Sequence, residues 1–183
     1  MIVPEFKLAG AAARYAAFDE AISTTQFIRN KCVRKWMDER GVKPYDLNKY
    51  CAILAKEYDF AGKLNSQARQ AAAERTGAAV LRFYKNCHAR TPGKKGYPRF
   101  RKDCRSIEYK QNGWTLDEAR RATTFMDGFK AGTFRLKGTR DLLGYALAQI
   151  TRVRVVRKAD GYYSQFCLDA ERRAPVEATG CDR

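Results

Sequence analysis

The sequence is poor in histidine and in acidic residues, and it lacks any long apolar run. One histidine, His88, stands among 183 residues, and the six cysteines are 14 to 63 residues apart with no C-x-x-C pair. That spacing excludes the common zinc-finger and ribbon patterns. Cys32, Cys51, Cys87, Cys104, Cys167 and Cys181 are therefore expected to be free, mostly buried thiols. Cys87 and His88 are adjacent, and neighbouring positions on a helix point apart, which argues against a nucleophile and its base. Stretches such as Ala9–Ala13 and Ala78–Leu81 fall far below the roughly 18 apolar residues of a membrane span. The N-terminus shows no secretory signal pattern. The expectation is a cytoplasmic, nucleoid-associated chain with no membrane partner. None of the acidic residues falls in a D-x-D or H-E-x-x-H pattern. Asp19, Glu20 and Glu57 are expected to be solvated helix charges, and no catalytic or metal-ligating residue is assigned.

What is present is positive charge. Thirty-six Lys and Arg against 20 Asp and Glu leave a net +16, the balance of a protein whose partner is a polyanion. Half of that excess lies between Arg82 and Lys110, where ten basic residues face only Asp103 and Glu108. Phe83, Tyr84, Tyr97, Phe100 and Tyr109 are interleaved with them, so cations for phosphates alternate with rings for bases or sugars. Gly93-Lys94-Lys95-Gly96 lacks the spacing of a nucleotide-binding P-loop and has no strand before it. Hydrophobic content of 45% is enough for a folded core.

The pattern predicts an α+β fold. Residues 2 to 8 read as a strand. Tyr15, Phe18, Ile22, Thr25, Ile28, Cys32 and Trp36 recur at helical steps, predicting a helix over about 13–38. Asp46 is expected to cap a second helix running to about Tyr58, and a third covers 65–88. Thr91–Tyr97 is a Pro/Gly-containing loop. Beyond Arg105 the period changes to two, giving strands near Ile107–Tyr109, Phe125–Phe129 and Thr133–Lys137, then a hairpin through Asp160-Gly161. The first strand must return to pair with the C-terminal sheet, and a small barrel holding an inserted helical bundle is expected. No repeat of 20 to 50 residues is present.

Several blocks together resemble the TnpB (OrfB-type) proteins of insertion sequences, relatives of the type V CRISPR effector nucleases. They are Gln26-Phe-Ile-Arg-Asn-Lys31, Lys63-Leu-Asn-Ser-Gln67, Arg82-Phe-Tyr-Lys-Asn86, Gly93-Lys-Lys-Gly-Tyr-Pro-Arg-Phe-Arg-Lys102 and Ser106-Ile-Glu-Tyr-Lys110, followed by the hairpin within Ile150–Leu168. The resemblance implies a wedge domain, an oligonucleotide-binding-like β-barrel, formed by residues 1–9 and 91–172. A helical recognition domain spans 10–90, and 173–183 would lead toward a RuvC-like nuclease. The implied partners are a guide RNA and double-stranded target DNA, with guide pairing supplying sequence specificity. Tyr45, Lys63 and Gln67 resemble residues facing the adjacent-motif duplex, with Gln67 suited to adenine edges. Gln111 and Asn112 would approach DNA from a strand end, whereas Trp114 is read as core. Lys94, Lys95, Arg99, Arg101 and Lys102, flanked by Lys85 and Lys110, resemble the basic stretch against RNA. Tyr97, Pro98 and Phe100 would anchor that loop on the barrel. The family's Gly-Ile-Asp-x-Gly strand and zinc ribbon are not found, so Asp182 is not assigned a catalytic role. No cofactor is expected in this chain, Mg²⁺ and Zn²⁺ belonging to the nuclease half. The expected function is RNA-guided DNA binding without cleavage. A generic RNA-binding protein and one part of a split endonuclease are the alternatives.

Overall fold

The computed structural model describes residues 1–169, so the expected linker at 173–183 lies outside the described residues. Strand β1 (Glu5–Ala9) leads into α1 (Ala12–Asp38), α2 (Pro44–Glu57), the short α3 (Asp59–Lys63) and α4 (Ser66–His88). Six strands follow: β2 (Ser106–Tyr109), β3 (Trp114–Leu116), β4 (Ala122–Phe125), β5 (Gly132–Lys137), β6 (Ile150–Lys158) and β7 (Gly161–Leu168). The α+β class and the helical insertion after the first strand match the periodicity.

α1 runs 27 residues without Gly or Pro, and its end is marked by Gly41 at φ +77°. α2 begins earlier than expected, because Pro44 occupies its first turn and its fixed φ suits that place. Asp46 is not the cap; its carboxylate accepts the Lys43 amide at 2.9 Å from inside the first turn. Asn65 caps α4 by accepting the Gln67 amide at 2.9 Å. Ala68, Ala71, Ala72, Ala73 and Gly77 are buried along α4. A Cβ on Gly77 would sit 3.0 Å from Pro44 Cβ, so small residues set how closely α2 approaches.

The sheet is antiparallel with order β2-β6-β7-β1-β5-β4-β3. β1 pairs with β7 (Phe6 opposite Ser164) and with β5 (Leu8 opposite Leu136), as the need for a returning first strand required. The hairpin β6–β7 has Lys158 opposite Gly161, making Ala159-Asp160 the turn. β3 was not anticipated, and the strand expected near 125–129 instead ends at Phe125. Asp127 ends it by accepting the Phe129 amide in a turn.

The sheet's two end strands, β2 and β3, are consecutive in the chain. A flat seven-stranded sheet would hold them about 29 Å apart, whereas the link from Tyr109 to Trp114 reaches about 18 Å at most. The sheet therefore curls until its ends approach. No β2–β3 ladder joins them among the described residues, so the expected barrel is not closed.

α1 ties the two layers together. Phe18 stacks on Phe134 at 4.7 Å and meets Phe125 edge-on at 5.1 Å, while Tyr15 stacks on Tyr162 at 5.3 Å. Asp19 is not simply solvated: Arg157 and Tyr162 donate to it at 2.7 and 2.5 Å. Farther along α1, Trp36 packs on Phe83 and Tyr84 of α4. Of the described cysteines, Cys32, Cys51 and Cys167 are buried, Cys104 is half-buried and Cys87 is exposed; all are free thiols.

Candidate nucleic-acid interface

Residues 90–105 cross from α4 to β2 without regular structure. An extended segment with no ladder leaves backbone donors and acceptors to satisfy, and α1 satisfies those of Arg99, Arg101 and Cys104. Asn30 does so twice, its Oδ1 accepting the Arg101 amide at 2.9 Å and its Nδ2 donating to the Arg101 carbonyl at 2.8 Å. Arg29 donates to the Arg99 carbonyl at 3.0 Å, and Gln26 Oε1 accepts the Cys104 amide at 2.8 Å. Gln26, Arg29 and Asn30 lie at i, i+3 and i+4, hence on one face. Earlier in the segment, Asn86 donates to the Lys95 carbonyl at 3.1 Å.

The segment's aromatic anchor is helical, which corrects the expected attachment to the barrel. Tyr97 packs against Trp36 (5.3 Å) and Phe83 (5.2 Å), Pro98 is buried, and Phe100 remains exposed. Trp36 and Phe83 belong to the two helices flanking the segment, so the loop docks where it leaves α4. Of the five rings interleaved with the charge, Tyr109 is wholly buried, whereas Tyr84, Tyr97 and Phe100 stay exposed.

With its backbone fixed, the segment leaves most of its cations exposed. Lys94, Arg99, Arg101 and Lys102 are exposed, as is Lys85 on the last turn of α4. No carboxylate pairs with any of these five among the described residues. Two expected contributors are engaged within the chain. Lys110 forms an ion pair with Glu74 of α4 at 2.5 Å, and Lys95 donates to the Thr91 carbonyl.

Four of the five residues assigned to DNA meet at a second place, where the α3–α4 corner docks on the sheet. Gln67 Oε1 accepts the Asn112 amide at 3.0 Å, Gly128 donates to the Lys63 carbonyl at 2.7 Å, and Asn65 donates to the Met126 carbonyl at 3.1 Å. Lys63, Gln111 and Asn112 have exposed side chains there. Gln67 holds the Asn112 turn, which leaves its amide nitrogen and the second lone pair of Oε1 for an outside partner. Tyr45 does not join the group. It is exposed at the start of α2, beneath Lys49 at 4.5 Å. Its neighbour Pro44 touches Gly77, ten residues or about 15 Å along α4 from Gln67. Trp114 is buried against Phe166, as expected of a core residue.

The roles of Gln26, Arg29 and Asn30 were not legible in the sequence, although their block was. The available signal was three polar side chains at helical spacing beside a strongly buried stripe.

Glu108, the acid within the basic stretch, is buried in β2 and accepts from Arg152 at 2.9 Å and Arg154 at 3.0 Å. It thus neutralises β6 rather than the exposed segment. Burial alone would raise its carboxyl, but the bonds from Arg154 and Arg152 outweigh that and hold it below the ordinary value. No three His, Cys, Asp or Glu side chains gather as metal ligands among the described residues. No described helix is long and apolar enough to cross a membrane. Neither a protein-family model nor a curated protein matches this chain.

Proposed function

We propose that this chain is an RNA-binding module of an RNA-guided DNA-recognition system, with the 94–102 segment as its RNA track and the α3–α4 corner facing DNA. The observation that carries the reading is the clamp from α1: Asn30, Arg29 and Gln26 use their polar groups on backbone atoms of 99–104. A solvated charged loop has no need of such fixation. A phosphate track does, because pre-ordered cations lose less entropy on binding. The curled sheet, whose end strands are joined by a short link, is compatible with an oligonucleotide-binding-like wedge. Cleavage in this scheme falls to a separate nuclease half carrying its own metal ions.

The test is binding of a structured guide RNA, then of duplex DNA matching the guide, measured by anisotropy across a salt series. The four free cations of the track and Lys85 beside it give a log–log salt slope of about −4, and Lys94→Ala should flatten it by about one. DNA retention should depend on the matching guide. RNA binding with guide-independent DNA retention would favour the generic RNA-binding reading. Failure to bind RNA at physiological salt, or cleavage of DNA by this chain alone, would refute the proposal.

A further inference from the structure

Behind the exposed track lies a cleft of about 320 Å³ between α1, α4 and the start of β2. Five arginines line it: Arg29 from α1, Arg75 and Arg82 from α4, and Arg101 and Arg105 from the clamped segment. No carboxylate is in the lining. Asp103 pairs with the Arg105 Nε at 2.9 Å and also stands 3.5 Å from Arg157. Arg75, Arg82 and Arg101 have no ion-pair partner among the described residues, and Arg29 bonds only the neutral Arg99 carbonyl and Asn30 amide oxygen.

Three separate elements thus bring like charges together around one space, an arrangement that costs energy while the space holds only water. Burial pushes the Arg29 guanidinium down from its ordinary value, and Arg101 and Arg75 push in the same direction. α4 contributes Ala72, Arg75, Ala79 and Arg82 at steps of three, four and three, a stripe alternating small and basic residues. The alanines keep the floor low, so the guanidinium groups border a hollow. Planar guanidinium forks bordering such a hollow match the oxygens of phosphate.

We infer that this cleft is a phosphate-binding pocket that takes one phosphate group of a nucleic-acid strand between Arg29, Arg75 and Arg101. The strand as the source of that phosphate rests on the RNA-binding reading; the pocket's affinity for phosphate does not. The group is either a terminal phosphate or an internal phosphodiester at a sharp bend.

Thermal unfolding of the full chain in inorganic phosphate, against chloride at equal ionic strength, tests the pocket directly. Phosphate should raise the midpoint, and Arg75→Gln should weaken the apparent phosphate affinity about tenfold. Arg75 is exposed on α4, so this variant should fold. Ala79→Leu, which fills the hollow without changing charge, should produce a comparable loss. A 12-residue RNA with a 5′-phosphate, compared with its 5′-hydroxyl form, separates the sources. A terminal source predicts about tenfold preference for the phosphorylated form, abolished by Arg75→Gln. An internal source predicts equal binding of both, each weakened by the variant. Absence of a phosphate-specific shift, or variants that bind phosphate as the parent does, overturns the pocket even if RNA still binds. A phosphate shift lost in both variants without RNA binding keeps the pocket and removes the RNA reading.

Discussion

Glu108 illustrates how a single charge is set by what surrounds it. Its side chain is 3% exposed, and two half-exposed arginines hold it ionised. Its folded pKa is depressed below the ordinary 4.5. Its contribution to stability is therefore complete above the unfolded value and lost as pH falls through the folded one. Asp127 has the opposite sign. Burial raises its carboxyl above the ordinary value despite the Tyr109 hydroxyl donating to it at 2.6 Å, so its contribution is complete below the unfolded pKa and declines as pH rises through the folded one. Glu108→Gln should cost about 2 kcal/mol at pH 7 and reduce the loss of stability on acidification below pH 4.5. Urea titrations at pH 7 and in the acid range check both effects. An unchanged acid limb would exclude Glu108 as its source.

At the scale of elements, α1 serves both layers and also holds the basic segment. Its buried stripe follows from periodicity, but its polar face acquires meaning only beside residues 99–104. Asn30→Ala removes both bonds to Arg101 without touching any charge. Local stability of the segment should fall by about 1–2 kcal/mol, seen as faster hydrogen exchange at the Arg101 amide. RNA affinity should fall about tenfold with the salt slope retained. Loss of slope together with affinity would mean that the cations had been displaced, not merely loosened.

For the whole molecule, the decisive contact is the docking of the helical insertion on the turn after β4. Gly128 packs so tightly there that a Cβ would lie 2.9 Å from both the Cα and the carbonyl oxygen of Lys63. Gly128→Ala should cost about 2 kcal/mol, read from the urea midpoint. It should also disturb Lys63 and Asn112 together, because Asn65 and Gln67 hold the same corner. A variant with unchanged stability and unchanged amide signals at Asn112 would show that the corner is not a rigid unit.

Composition and periodicity alone determined the large net positive charge, the helical stripe of α1, the Asn65 start of α4, the closing hairpin and the returning first strand. Each of these is a local or one-dimensional property: spacing, capping, turn chemistry, net charge. Tertiary structure decided which cations remain free. Lys110 sits in the same basic run as Arg101, yet one is neutralised by Glu74 from α4, whereas the other has its backbone held by Asn30 from α1 and no carboxylate partner among the described residues. It likewise decided that β2 and β3, neighbours in sequence, terminate opposite ends of one curled sheet. It alone gathered the arginines of the cleft. These outcomes depend on side chains 36 to 71 residues apart, and long-range partnership of that kind leaves no periodic trace along the chain.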